Sequence, residues 1–437
     1  MARYHIETYG CTSNRGETQQ IEHALREGGH HPADDPESAD VAILNTCTVI
    51  EKTERNMLAR AAELDEQTPA DLIITGCMAL AQGEEFEQAG IDAEILHWDE
   101  VPEHVLNGEC PTVTPDTDPV LTGVTGILPI ARGCMSDCSY CITKQATGRI
   151  DSPTVEENIR KARALVHGGA REIRITGQDT GVYGWDINQG ESLLPELLDR
   201  ICTEIEGDFR VRLGMANPGG IHGIREELAE VFAEHDQIYN FLHAPVQSGS
   251  DDVLAEMRRQ HQVAQYREIV ETFETHLDYW TLSTDFIVGF PTEEPNDHEQ
   301  SMDLIRETRP EKLNVTRFSK RPGTDAAEMK GLGGTLKKER SKAMSELKMD
   351  VVGEAYEAMV GTEHTVLLTE DGTEDSLVGY DEAHRQIALP EAELQGLEVG
   401  DFVDVEVTSH NTVYAMGEPV SPPRETTGDS PEAGLSD

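Results

Sequence analysis

Basic residues are scarce in this chain. Only 35 Lys and Arg stand against 83 Asp and Glu among 437 residues, a formal net charge of -48. That shortage argues against a nucleic-acid partner at ordinary ionic strength, because binding to a polyanion relies on Lys and Arg displacing counterions from phosphate. In a salt-loaded cytoplasm the objection weakens: near molar salt the Debye length falls to about 3 Å, and an acidic surface no longer repels a polyanion at distance. The acid is spread over all regions, as adaptation of a whole surface to salt requires, so a halophilic source is expected. Aromatics make up only 5% of the residues, yet regular strand and helix patterns run throughout, which excludes a generally disordered chain. Long apolar runs are also missing. No stretch approaches the roughly eighteen apolar residues of a membrane span, and Met1 to Glu7 lacks the apolar core of a signal peptide. A cytoplasmic protein with no membrane partner is expected.

Cysteines number eight. In a large intracellular chain with motif spacings they read as ligands and not as a disulfide framework. The most informative run is Cys134-Met135-Ser136-Asp137-Cys138-Ser139-Tyr140-Cys141. Three thiolates on a four-iron cluster leave one iron without a protein ligand. That iron can bind the amino and carboxyl groups of S-adenosylmethionine (SAM) and pass an electron to its sulfonium. A structural zinc site would need four ligands, and no Cys or His follows Cys141 closely enough to be an obvious fourth. The CxxxCxxC spacing resembles that of the radical-SAM superfamily.

A second set, Cys11, Cys47 and Cys77, lies at intervals of 36 and 30 residues. Each cysteine follows a short β-rich run (Tyr4 to Tyr9, Val41 to Asn45, Leu72 to Thr75) and precedes a polar, helix-compatible stretch. Such intervals fit one strand, one helix and the return to a neighbouring parallel strand. Parallel neighbours lie about 4.8 Å apart, so cysteines at their carboxyl ends converge on the crevice where open α/β sheets keep their ligands. Nearby helix N-termini favour the thiolate that ligates metal. The rival reading is three scattered buried cysteines. Cys202 falls in a helical pattern with Leu194, Leu197, Leu198 and Ile205 and reads as core, while Cys110 sits in a linker and has no assigned role.

Tyr9-Gly10-Cys11-Thr12-Ser13-Asn14, Asn45-Thr46-Cys47-Thr48-Val49 and Gly76-Cys77-Met78-Ala79, followed by the CxxxCxxC, resemble the radical-SAM methylthiotransferases. The resemblance takes in Gln247-Ser248-Gly249-Ser250, the run from Asp285 to Glu293, and Arg321-Pro322-Gly323-Thr324, and so covers nearly the whole chain. It implies two [4Fe-4S] clusters, one on Cys134, Cys138 and Cys141 for SAM cleavage and one on Cys11, Cys47 and Cys77 for the sulfur. Within the family, the wording of the first motif is most similar to the archaeal and eukaryotic branch that acts on N6-threonylcarbamoyladenosine beside the tRNA anticodon. The implied reaction uses SAM twice, once to abstract hydrogen from C2 of the modified adenine and once to methylate the delivered sulfur. An electron donor such as ferredoxin or flavodoxin is implied, and a monomer is expected. Three alternatives stay open: an enzyme for isopentenyladenosine in tRNA, one for a ribosomal-protein aspartate, and a non-catalytic RNA-binding iron–sulfur protein.

The chain divides into an N-terminal open parallel α/β domain (1–106), a Pro-, Thr-, Asp- and Gly-rich linker (107–125), a central domain with its connector (126–348) and a C-terminal β-barrel (360–418). Central strands are expected at Gly126 to Ala131, Glu172 to Thr176, Arg210 to Met215, Tyr239 to Ala244, Thr281 to Val288 and Leu313 to Phe318. The pattern alone specifies a parallel α/β fold; the partial (βα)6 barrel is what the resemblance implies. Loops at the carboxyl ends of these strands are expected to hold SAM, with Gly177, Gln178 and Asp179 well placed after the second strand; the resemblance further implies Tyr140 beside the adenine, Gln247, Ser248 and Gly249 after the fourth strand, and Asp285 within the fifth.

The C-terminal runs at 365–369, 385–389 and 402–408 alternate as strands do, and by position resemble a TRAM domain, a small RNA-binding barrel. Between 360 and 418 the sole Lys or Arg is Arg385. Phosphate binding by this barrel is therefore in doubt, and stacking through Tyr380, Phe402 or Tyr414 is the remaining route, with core packing of the same rings as its rival. Positive charge concentrates elsewhere: from Arg306 to Lys348 there are 12 Lys and Arg against 6 Asp and Glu, a local net of +6. Arg317, Lys320, Arg321, Lys337, Lys338, Arg340 and Lys342 are expected to grip the tRNA backbone. The bland reading is an amphipathic connector with its charges in water. The tail 421–437, rich in Pro, Ser, Thr, Gly and acid, is expected to be disordered.

Overall fold

Apolar β-branched runs bounded by polar turns build three successive sheets. The computed structural model describes residues 2–48, 51–68, 71–106, 108, 119–373, 376–390, 396–420 and 422. Most of the linker, Cys110 and nearly all of the tail lie outside the described residues.

The first sheet contains β1 (Arg3–Thr8), β2 (His31–Pro32), β3 (Val41–Thr46), β4 (Asp71–Thr75) and β5 (Glu94–Ile95), in the spatial order β2-β1-β3-β4-β5 and all parallel. The central strand β3 is apolar almost throughout because both of its faces are covered. Ala42 and Leu44 pack with Met57, Ala61 and Leu64 on one side, and Ile43 packs with Tyr4, Ile21 and Leu25 on the other. The two-residue edge strands β2 and β5 were not expected from the sequence, being too short to show a period.

The central domain supplies β6 (Thr125–Pro129), β7 (Glu172–Thr176), β8 (Arg210–Arg212), β9 (Phe241–His243), β10 (Thr281–Val288) and β11 (Lys312–Arg317). They form two parallel three-stranded sheets, β6-β7-β8 and β9-β10-β11. A parallel bridge from Val211 to Ile238 and the Ala216 N–H donating to the His243 carbonyl at 2.9 Å join the two sheets. The six strands thus run in chain order around an open barrel whose edges are β6 and β11. Helix Thr12–Glu27 of the first domain covers one edge: the side-chain oxygen of Gln19 accepts the Ile127 N–H at 3.2 Å. Helix Gly334–Met359 packs along the other. An open sheet edge presents unpaired backbone groups, and both are capped here by chain. Cys202 is buried in the core of this domain, as its helical pattern predicts.

The last sheet is a closed barrel of β12 (Glu363–Asp371), β13 (Leu377–Tyr380), β14 (Gln386–Leu389), β15 (Phe402–His410) and β16 (Ala415–Pro419). The sequence reading missed β13 and β16, which are broken by Gly379 and Gly417. The barrel docks on the central domain through buried charge. Arg385 makes two 2.6 Å bonds to the carboxylate of Glu311 and lies 4.3 Å from the centre of the Tyr279 ring. Tyr380 stacks on His384 at 4.2 Å, and Arg171 and Arg210 each approach the Phe402 ring at 5.8 Å. Lys312 of the central domain lies 5.4 Å from the Tyr380 ring, so Tyr380 and Phe402, both half-buried, serve the contact between domains, which argues against the stacking expectation for those two rings. Tyr414 is half-buried.

Breaking a buried ion pair from one side leaves an uncompensated charge. Arg385→Ala is expected to cost about 3 kcal/mol of stability in urea unfolding, whereas replacing Arg385 and Glu311 together with Met costs less than the single change.

Candidate active site at the facing cysteine loops

Three strand ends of the first sheet are in register: Thr8 pairs with Asn45, and Asn45 with Thr75. Cys11, Cys47 and Cys77 follow those residues closely, so their loops leave the sheet side by side. Gly10, at φ +120°, makes the approach possible, since a Cβ there would lie 2.9 Å from the Cys47 Cβ and 2.8 Å from Asn14 Oδ1. Asn14 and Asn45 tie the first two loops together. The Asn14 amide donates to Asn45 Oδ1 at 2.9 Å and to the Thr46 carbonyl at 3.1 Å, and the Asn45 amide donates to the Asn14 carbonyl at 2.9 Å. Burial pushes the Cys77 thiol up; Glu17, Cys11 and Cys47 add to that shift and Arg132 opposes it. The three thiols thus share one electrostatic neighbourhood, and Arg132 of the central domain reaches into it.

The second loop follows β6. Gly133 takes φ +80°, and a Cβ there would run into the Arg149 carbonyl, so only glycine lets the chain turn into the loop. The Cys134 N–H donates to the Gly148 carbonyl at 3.2 Å, the Ser136 N–H to Cys134 Sγ at 3.3 Å and the Cys141 N–H to the Cys138 carbonyl at 3.2 Å. Burial raises the thiol pKa of both Cys134 and Cys141, with the neighbouring acid Asp179 adding to the first and Cys138 to the second. A metal centre would reverse that cost, because coordination deprotonates a thiol outright. Each set therefore offers three thiols on adjoining turns in partly dry surroundings, a donor set suited to a [4Fe-4S] cluster with one open iron.

Beside Cys138 lies a polar chain of which the sequence reading named only Asp179. Arg259 Nη1 is 3.6 Å from Cys138 Sγ, and its Nη2 donates to Asn217 Oδ1 at 2.9 Å and to the Pro245 carbonyl at 2.7 Å. Asn217 in turn donates its amide to Ser136 Oγ at 3.2 Å and its N–H to Asp179 Oδ1 at 2.9 Å. Asp179 is 2% exposed, and burial pushes its carboxyl up to about 6. The available signal was position alone: Asn217 follows β8 as Asp179 follows β7. Glu17 was missed as well. Burial pushes its carboxyl up to about 7 against the pull of Arg132, and its Oε2 has no hydrogen-bond partner among the described residues.

The other expected SAM contacts separate into two groups. Tyr140 packs edge-on against Phe290 at 6.5 Å beside the cysteine loop. Gln178 accepts the Gly133 N–H at 2.7 Å, Gly177 lies against the Ala131 carbonyl, and Asp285 accepts from Asn314 at 2.7 Å and His243 at 3.2 Å inside the barrel. Gln247 holds φ +76° with its backbone bonded to that of Asp285 and Ile287. A non-glycine residue in this region stores strain of the kind found at functional sites. Ser248 and Gly249 are a correction. Ser248 Oγ accepts the Ser250 N–H at 3.2 Å at the start of helix Asp251–Glu256, and a Cβ on Gly249 would lie 2.5 Å from the Gln300 carbonyl. These two residues are buried in a helix contact, which argues against a ligand-facing role.

The expected tRNA cations also separate. Arg321 is 4% exposed, donates to the Thr48 carbonyl at 3.1 Å and pairs with Glu54. Arg340 is 6% exposed and pairs with Glu293 at 2.5 Å. Both are withdrawn from solvent and cannot grip phosphate, so those two assignments are corrected. Lys337 is half-buried and donates to the Phe318 carbonyl at 3.0 Å. Arg317, Lys320, Lys338 and Lys342 are exposed. Arg317 ends β11, and Lys338 adjoins Lys337, whose stem lies against Gly289 just after β10. Arg317 and Lys338 thus stand on the rim of the face that carries the cysteine loops.

Docking of the first domain brings the two loops to one place. Helix Gly76–Gln82, which contains Cys77, packs on helix Thr143–Thr147 just after Cys141. Ser13 Oγ meets Thr176 Oγ1 at 3.0 Å, and Arg321 clasps the segment after Cys47. Because Glu54 is buried with Arg321, Arg321→Ala is expected to lower stability by about 3 kcal/mol, whereas Arg317→Ala shifts the urea midpoint little.

Residues 3–96 match the family described as Uncharacterized protein family UPF0004, residues 128–305 the Radical SAM superfamily, and residues 357–420 the TRAM domain. The chain is 36% identical to a probable threonylcarbamoyladenosine tRNA methylthiotransferase of Archaeoglobus fulgidus, covering 95% of this chain and 98% of that protein. It is 34% identical to the probable enzyme of that name from Pyrococcus abyssi over 96% of this chain and 100% of the relative, and 30% identical to the Homo sapiens enzyme over 95% and 74%. In fold it is similar to a radical S-adenosylmethionine methyltransferase from Kitasatospora setae solved with cobalamin and a [4Fe-4S] cluster, with a TM-score of 0.56, 12% identity and coverage of 85% of this chain and 81% of that one. By this near-full-length likeness, and by the three matched modules in their order, the chain belongs to the threonylcarbamoyladenosine tRNA methylthiotransferase family.

Proposed function

We propose that the chain adds a methylthio group to C2 of N6-threonylcarbamoyladenosine at position 37 of tRNA. The observation that carries this is the agreement of relatives of that name over nearly the full length of the chain. Cys134, Cys138 and Cys141 hold the cluster that serves SAM, and Cys11, Cys47 and Cys77 hold the second. When bound, such clusters supply the electron for SAM cleavage and an open iron that presents sulfur. The chain's own contribution is placement. Asp179, Asn217 and Arg259 form a fixed polar wall beside Cys138, suited to the charged methionine end of SAM, while Tyr140, Gly177 and Gln178 shape the cysteine loop next to it. Gln247 and Asp285 stand deeper on the same face. The first domain roofs this space and limits water.

Arg317, Lys320, Lys338 and Lys342 form the cationic rim for the tRNA backbone, with Lys337 contributing from its half-buried position. Among the described residues no helix is long and apolar enough to cross a membrane. A ferredoxin- or flavodoxin-type donor, a monomeric state, a cytoplasmic setting and a high-salt host complete the reading. The net charge of -48 supports the last of these.

Nucleoside mass spectrometry of tRNA from a host lacking this gene is expected to show loss of 2-methylthio-N6-threonylcarbamoyladenosine and a matching rise of its unthiolated precursor. An unchanged tRNA profile with a lost methylthio mass on a ribosomal protein would overturn the substrate. Cys47→Ala or Cys77→Ala is expected to keep deoxyadenosine formation from SAM but yield no methylthio product, whereas Cys138→Ala abolishes both. Replacing Arg317, Lys320, Lys338 and Lys342 with Glu is expected to weaken tRNA binding at least tenfold, with a shallower dependence on salt, measured by filter binding.

A further inference from the structure

Far from the cysteine loops, where the C-terminal barrel meets the central domain, His364, Asp381 and Glu382 bring one ligand atom each to within 4.8 Å of one another. The His364 side chain is 9% exposed and that of Asp381 is fully buried. Nδ1 of His364 lies 3.7 Å from Asp381 Oδ2 and 3.6 Å from Glu382 Oε2, too far in both cases for a hydrogen bond. The other ring nitrogen, Nε2, meets Thr362 Oγ1 at 2.7 Å, which fixes the ring with Nδ1 turned toward the two carboxylates.

The remaining lone pairs are accounted for unevenly. Asp381 Oδ1 accepts the N–H groups of Ala383 at 3.0 Å and Arg385 at 2.8 Å, and its Oδ2 accepts the Tyr279 hydroxyl at 2.5 Å. Glu382 Oε1 accepts the Thr365 N–H at 2.8 Å, but its Oε2 is buried with no hydrogen-bond partner among the described residues. A buried carboxylate oxygen left without a donor is costly, and a nearly buried imidazole nitrogen facing it shares the deficit. The nearby cations do not fill the gap: Arg385 is bonded through both arms to Glu311, and Lys312 Nζ meets His384 Nδ1 at 2.9 Å.

We propose that His364, Asp381 and Glu382 bind a divalent first-row metal ion, distinct from any iron–sulfur cluster. Ligand bonds of about 2.0–2.2 Å from one imidazole nitrogen and two carboxylate oxygens place neighbouring donors about 3.4 Å apart at the tetrahedral angle, close to the 3.7 and 3.6 Å that separate Nδ1 of His364 from the two carboxylates. Three protein ligands leave at least one position of the coordination sphere for a water molecule. The Tyr279 ring stacks on His364 at 5.1 Å and its hydroxyl orients Asp381, so the central domain supplies the outer support. The ion ties β12 to the turn 381–385, the same turn that carries His384 and Arg385 into the central domain. Its role is to hold the barrel in place.

The test uses the full chain with its clusters reconstituted, equilibrated with zinc(II), desalted and analysed for zinc and iron per chain. Wild type is expected to keep one zinc more than either His364→Gln or Glu382→Gln, at equal iron, and to gain thermal stability with zinc that a chelator reverses and the variants lack. Equal zinc in all three proteins would overturn the proposal and leave a plain ion pair. Should His364→Gln fail to fold, Glu382→Gln decides alone, because its glutamine still offers Oε1 to the Thr365 N–H.

Discussion

Contact between helix Thr12–Glu27 and the edge strand β6 is what makes one site out of two cysteine sets. The edge strand needs a partner for the Ile127 N–H, and Gln19 provides it. A Cβ on Gly16 would lie 2.9 Å from the Ile127 side chain, so the helix can lie flat only because that position is bare. Once the helix is seated, Cys11 at its start and Cys77 two strands away face the loop of Cys134, Cys138 and Cys141. Arg321 seals the opposite rim by burying its guanidinium on Glu54. The space between the two cysteine loops is therefore a seam between domains, and its shape depends on the docking of both.

Charge has two separate duties in this molecule. The acidic surface repels polyanions at low salt, yet the relatives are tRNA methylthiotransferases by name. Exposed cations are concentrated where β11 ends and helix Gly334–Met359 begins, the place proposed above for the tRNA backbone. The C-terminal barrel adds nothing to that rim, since its one cation between 360 and 418, Arg385, is committed to Glu311. Its interface instead carries a dense polar set, in which Lys312, lowered to about 7 by burial, lies beside His384. Such a seam is specific because each buried charge needs its own partner.

Most strands were legible because β-branched runs between turn residues leave a period that survives without tertiary knowledge. The expectation for β10 and the observed strand coincide from Thr281 to Val288, and that for β7 from Glu172 to Thr176. Side-chain duty was less legible. Arg317 and Arg321 look alike in the sequence, yet one is exposed and the other is buried against a residue of the first domain. Ser248 and Gly249 read as a ligand loop and serve as a helix start, because the backbone of helix Pro295–Thr308 passes too close for any Cβ. Arg259 and Asn217 carried no motif and were found only where the chain brought them beside Cys138.

What the sequence by itself determined is the chemistry and the order of modules: three thiols at CxxxCxxC, three more at the ends of successive strands, and a barrel almost without cations. Spacing along a chain suffices for this, since a strand and a helix have fixed lengths per residue. Which cations remain free, which glycines are there for packing and which polar groups lack partners were decided only by the tertiary structure. Burial and partner choice depend on residues hundreds of positions apart, and no local pattern carries that distance.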